Sequence, residues 1–263
     1  MFEPYPKAGW LSLRETGYFA QSMCLSTAIA KRVGGQVAGP ALDEVANRFA
    51  DVTRTGLDTV VRARAPQIAA EADIFRLLHP DLDQPALERA LIRMRARRGG
   101  AAGLATGLPS MVVGPGTVVE VAAALADSAA VTYAEVSLIL ALAHLRGRDI
   151  GDIEARRLDV LLAMGIQTGV VEIKDGMLTS GPHTLDPTKL DELPDDVVGR
   201  INRELGDRVT MKFARRRAIA LAGRMMPLGI GVAVAGVEDF RDVGSAGRAA
   251  RKLFDLVQSA RAA

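Results

Sequence analysis

A chain of 263 residues can bury a sizeable core, and its net charge of +2 is too small to imply a polyanionic partner by itself. Apolar residues make up 49% of it and aromatics only 4%, so the core must rest on Ala, Val, Leu, Ile and Gly. The only cysteine, Cys24, excludes an internal disulfide and a cysteine-only metal site, and fits a reducing compartment. Met1 to Trp10 holds prolines and a glutamate without an apolar core, which does not read as a secretory signal, so the expected location is cytoplasmic.

Apolar residues recur at helical spacing from about Arg14 to Val33 and again from Pro40 to Arg64. A third helix is expected from Pro66 to before Pro80, and a fourth from Pro85 into the cluster of Arg93, Arg95, Arg97 and Arg98. From Gly99 to Val119 no residue is charged, and Gly99, Gly103 and Gly107 lie four apart, on one helix face where another backbone can come close. The length and the flanking arginines also suit a membrane segment. Pro109, Gly114, Pro115 and Gly116 would break a single helix, so the stretch is expected to be a buried or membrane-touching helical hairpin rather than a span.

Thr117 to Leu145 reads as one long alanine-rich helix at the centre of the fold, ended by Arg146, Gly147 and Arg148. Asp152 is expected to cap a helix through Gly169, with Gly165 and Gly169 repeating the close-packing interval. The turn pair Asp175-Gly176 predicts a small β-hairpin near 170–180, and Gly181 to Asp196 reads as a surface loop carrying His183. Helices are expected again from Asp195 to Met226 with an interruption near Gly206, from Pro227 to Asp242, and from a Ser245 cap to the end. The expected class is mainly α: a single multi-helix bundle over 1–263 with glycine-rich close-packed helices and one small hairpin.

The sequence carries few recognisable chemical motifs. Gly99 to Ser110 lacks the lysine of a phosphate-cradling loop, and Ser245 has Val243 where a nucleophile elbow needs glycine. His79, His144 and His183 are too far apart in sequence to share metal-ligand spacing, and His79 and His144 read as residues meeting helix C-terminal dipoles. Neither a cofactor nor a metal is expected. Asp127, an acid in an apolar helix, is the leading polar candidate, its plain alternative being a buried ion pair, and Asp149 is the second. Arg215, Arg216 and Arg217 read by default as a solvated face. With few aromatics beside the arginines, nucleic acid is disfavoured as a partner.

The order of parts resembles the EcsC family of bacterial proteins. The resemblance is carried by Gly99-Gly100-Ala101-Ala102-Gly103-Leu104 through Pro109, Ala124 to Asp127, Gly147 to Ile150, and Glu154 to Arg157. Met226 to Gly231, Val243-Gly244 and Ala249 to Phe254 complete it, so that it spans roughly Ala90 to Phe254. It implies an all-helical bacterial protein, named for a member encoded beside ABC-transporter components, and no catalytic residues. The chain departs from the pattern at Thr132 to Glu135 and at Glu238-Asp239.

These readings converge on a non-catalytic protein at the cytoplasmic membrane face, partnered by an anionic membrane surface or a membrane transport protein. Gly99, Gly103, Gly107, Pro109, Gly229 and Gly231 would supply packing or membrane contact, and Arg93, Arg95, Arg97 and Arg98 would meet headgroups. The alternatives are a hydrolase using Asp127 or Asp149, and a cytosolic helical module that encloses an apolar ligand.

Overall fold

The computed structural model describes residues 40–107, 118–224 and 231–262. The helix expected over Arg14–Val33, and Pro109 and Gly229 among the candidate contact residues, lie outside them. The described chain is mainly helical: α1 (Pro40–Ala63), α2 (Ala65–Leu77), α3 (Gln84–Gly107), α4 (Val118–Leu145) and α5 (Ile153–Thr168) come first. Three short strands follow, β1 (Glu172–Lys174), β2 (Met177–Ser180) and β3 (His183–Leu185), then a 3-10 turn (Pro187–Glu192), α6 (Asp195–Arg224) and α7 (Gly231–Ala262).

The long apolar helix is the axis of the bundle. From Val136 to Ala143 no residue of α4 is more than 1% exposed, because α1, α2, α3, α5 and α7 all pack around it. The segment Ala122–Leu145 is long and apolar enough to cross a membrane, yet 72% of its most apolar window is buried inside the molecule. Small residues let the neighbours close in. A Cβ on Gly247 of α7 would stand 2.7 Å from Ile92 Cγ1 of α3 and 3.0 Å from Leu138 Cδ2 of α4, so three helices meet over that missing side chain.

Local signals place most boundaries. The Asp152 carboxylate accepts from the backbone N–H groups of Glu154 and Ala155, and Gly169 closes α5 with φ +71. Gly169 is therefore a left-handed cap rather than a packing residue, whereas Gly165 does pack: a Cβ there would meet Val171 Cγ2 at 2.4 Å. Asp175 and Gly176, with φ 50 and 76, form the expected two-residue turn between β1 and β2.

Elsewhere tertiary packing overrides the local reading. Gly181 to Asp196 is not simply a loop: Gly181 takes φ +61 in a second two-residue turn, and β3, carrying His183, pairs with β2 to make a three-stranded antiparallel sheet. Gly206 does not interrupt α6, since the buried Leu205, Val209 and Phe213 carry the apolar face across it. Ser245 caps nothing, because Val243, Ala246 and Ala250 keep one inward stripe and α7 runs unbroken through it. The helix expected from Pro85, α3, continues past its arginines to Gly107.

Candidate functional site

α3 and α7 run antiparallel, as Gly99 lies against Val243 and Ala96 against Gly244. Ala124 of α4 clusters with Ala214 and Ala218 of α6 and with Ala46 and Phe49 of α1. The end of α3, the start of α4, the end of α6 and the start of α7 are therefore gathered at one end of the bundle. The segments that join these helix ends in sequence, 108–117 and 225–230, carry glycine and proline and contain no charged residue.

A buried ion-pair network lies behind it. Arg217 of α6, 6% exposed, donates from Nη1 to Asp239 Oδ1 at 2.7 Å. Its Nη1 also stands 3.8 Å from Asp127 Oδ2, and its Nη2 stands 3.4 Å from Asp242 Oδ2. Burial alone would lower the Arg217 pKa, but the surrounding Asp242 and Asp239 outweigh it and hold the guanidinium charged. Beside them Glu135, wholly buried, accepts from Gln167 Nε2 at 2.8 Å while its Oε2 has no hydrogen-bond partner among the described residues. Burial, reinforced by the Asp242 carboxylate, pushes the Glu135 carboxyl up to about 8, so it holds its proton at neutral pH.

Above the network a cleft of about 330 Å³ opens between α6 and α7. Phe213, Arg216, Arg217 and Ala220 form one wall at the i, i+3, i+4, i+7 spacing of a helix face, and Glu238, Arg241, Asp242, Ser245 and Arg248 form the other. Four guanidiniums and two carboxylates line it, and Arg217 is already engaged by the acids of the network. No group of three or more His, Cys, Asp or Glu residues that could hold a metal ion occurs among the described residues.

Asp127 sits where a buried ion pair was the plain alternative, 4% exposed beside Arg217. Asp149 accepts from the Gly151 backbone N–H at 2.6 Å and shapes the turn into α5, on the surface and away from the network. The arginine group does not act as a unit. Arg93, Arg97 and Arg98 are exposed, whereas Arg95 is drawn into an ion pair with Glu71 of α2 at 2.6 Å because it lies on the inward edge of α3. Arg217 likewise is no part of a solvated face. Gly99 is buried against α7, while the surroundings of Gly103, Gly107 and Gly231 lie outside the described residues.

The histidines make the contacts of helix ends and strands. His79 bonds the Phe75 carbonyl at 2.9 Å just past α2, His144 meets Asp73 at 2.9 Å in the last turn of α4, and His183 stands 3.2 Å from Glu204.

The sequence reading missed Arg217, Asp242 and Gln167 as members of one network. A signal for Arg217 existed: Val209, Thr210, Phe213, Ala214, Arg217 and Ala218 form a single helical stripe, all buried, so one arginine of the triplet falls on the apolar face. No such signal announces that Glu135 and Asp242, far apart in sequence, share a neighbourhood.

By architecture this is a mainly α-helical bundle carrying a small antiparallel sheet, with a buried ion-pair network below a basic cleft. No family model, characterised protein or solved structure matches the chain.

Proposed function

We propose that this is a non-catalytic, EcsC-like bacterial protein that rests one end of its bundle on the anionic cytoplasmic face of a membrane. The observation that carries the reading is the gathering at one end of the bundle of the four helix ends that the uncharged, glycine- and proline-bearing segments 108–117 and 225–230 join, with exposed arginines on the helices behind them. Arg93, Arg97 and Arg98 on α3 and Arg215 and Arg216 on α6 supply the basic surface. Apolar connections can enter the acyl boundary while guanidiniums meet headgroups, a division of labour that suits an interfacial protein. Each basic residue near an anionic leaflet contributes about 1 kcal/mol, screened by salt, whereas apolar insertion is not screened.

The test is co-sedimentation of the full chain with phosphatidylglycerol vesicles and with phosphatidylcholine vesicles. Strong binding to the anionic vesicles at low salt and weaker binding to the neutral ones is expected. Replacing Arg93, Arg97 and Arg98 together by glutamine should weaken anionic binding about tenfold to a hundredfold, while Arg95, tied to Glu71, is left in place. A folded protein that ignores anionic vesicles at low salt overturns the reading.

A further inference from the structure

A second cavity, of about 440 Å³, lies between the sheet and α6 and shares no lining residue with the basic cleft. Its size falls in the roughly 300–1,000 Å³ range of small-molecule sites, and its construction matches theirs, an apolar interior with a few polar groups. Leu162, Val171, Leu178 and Leu205, each no more than 5% exposed, form the floor. Polar residues collect at the mouth: Ser180 and His183 from the strands, and Arg200, Glu204 and Arg208 from successive turns of α6.

The mouth is asymmetric. Glu204 is engaged by His183 at 3.2 Å, and Arg200 reaches Asp196 only at 3.6 Å on the exposed side. Arg208 has no carboxylate partner among the described residues. It donates from Nη1 to Ser180 Oγ at 2.9 Å, and that hydroxyl donates in turn to the Val170 carbonyl at 3.0 Å. The missing side chain of Gly181, where a Cβ would stand 3.3 Å from Arg208 Nη1, lets the guanidinium lie over the turn. One nitrogen is thus anchored and the remaining N–H donors are left for another acceptor at the edge of an apolar chamber.

We infer that this cavity binds a small amphipathic carboxylate, its apolar chain against Leu162, Leu178 and Leu205 and its carboxylate on Arg208. A neutral apolar molecule would leave the remaining guanidinium donors of Arg208 to solvent, and a short hydrophilic anion would leave the leucine floor wet. An amphipathic carboxylate satisfies both, since guanidinium and carboxylate form charge-assisted hydrogen bonds.

The test uses the full chain with octanoate, octanol and acetate, read by calorimetric titration and thermal unfolding. Octanoate is expected to bind and raise Tm, octanol to bind about tenfold more weakly, and acetate to do neither. Arg208→Gln should weaken octanoate about tenfold and leave octanol unchanged, and Val197→Phe, from a half-buried lining position, should weaken both by filling the chamber. Should a variant fail to fold, the octanoate-to-octanol contrast on the unaltered protein still decides. Octanoate without effect on Tm at millimolar concentration, or an octanoate-to-octanol ratio untouched by Arg208→Gln in a folded variant, overturns the inference. No vesicle enters this experiment, so its failure leaves the membrane reading standing, and the reverse also holds.

Discussion

At the scale of single residues, the interior network is held by unequal partners. Arg217 and Asp239 form a close buried pair, and such a pair is destabilising by about 3–5 kcal/mol when one member is removed, because the other is left uncompensated. Glu135 behaves differently, since it is stable in the core only while protonated. Its pKa rises from 4.5 to about 8 on folding. The folded state therefore keeps a proton that the unfolded chain releases, and the Glu135 contribution to stability is complete below about pH 4.5 and fades as pH rises towards 8. Glu135→Gln keeps the Gln167 contact without an ionisable group. Urea unfolding at pH 5, 7 and 9 should show the variant close to the parent at pH 5 and more stable by about 2–4 kcal/mol at pH 9. A parallel pH dependence of the two proteins would count against a protonated Glu135.

At the scale of elements, α7 shows how packing decides where a helix ends. Gly244 weakens a helix interior by about 1 kcal/mol relative to alanine, and a serine follows it, so local preference alone suggests a break. The stripe of Val243, Ala246 and Ala250 against α3 and α4 outweighs that cost. The glycines of this helix are not equivalent. Gly247→Val would drive methyl groups into Ile92 and Leu138 and should lower stability by about 1–3 kcal/mol. Gly244→Ala should instead match or exceed the parent by up to about 1 kcal/mol, because the new Cβ meets only the movable tip of Arg248 at 3.3 Å and Ala96 Cβ at 3.9 Å. Calorimetric melting of the two variants separates them, and equal melting temperatures would contradict the three-helix contact.

At the scale of the molecule, the two ends of the bundle are fastened differently. Away from the glycine-bearing connections, the buried Glu88 of α3 accepts from Arg146 Nη2 at 2.7 Å and from Arg251 Nε at 3.0 Å, while Arg146 also reaches Asp255 at 2.8 Å. Arg148 grips the buried Asp159 with two hydrogen bonds, at 2.6 and 2.8 Å. These contacts tie α3, α5 and the last turns of α7 to the turn that follows α4. Between the ends, α4 from Val136 to Ala143 is the most enclosed stretch, and its amides should exchange hydrogen last, at rates set by global unfolding. Exchange there as fast as in the surface-facing turns of α1 would show that the centre opens locally.

The sequence by itself determined the helical class, the long central helix and most caps and turns, because these depend on periodicity, on Asp152 and Gly169, and on the Asp175-Gly176 pair. It also singled out Asp127 as an acid in an apolar helix, and the α6 stripe could have added Arg217. Only the tertiary structure decided that Asp127, Arg217, Asp239 and Asp242 share one interior while Arg95 turns aside to Glu71. Likewise, the loop expected from Gly181 supplied a turn and a third strand, and helices expected to break at Gly206 and Ser245 ran on. The physical reason is common to all of these. Caps and turns are satisfied by groups a few residues away, whereas ion pairs, strand partners and continued helices depend on groups that only folding brings near.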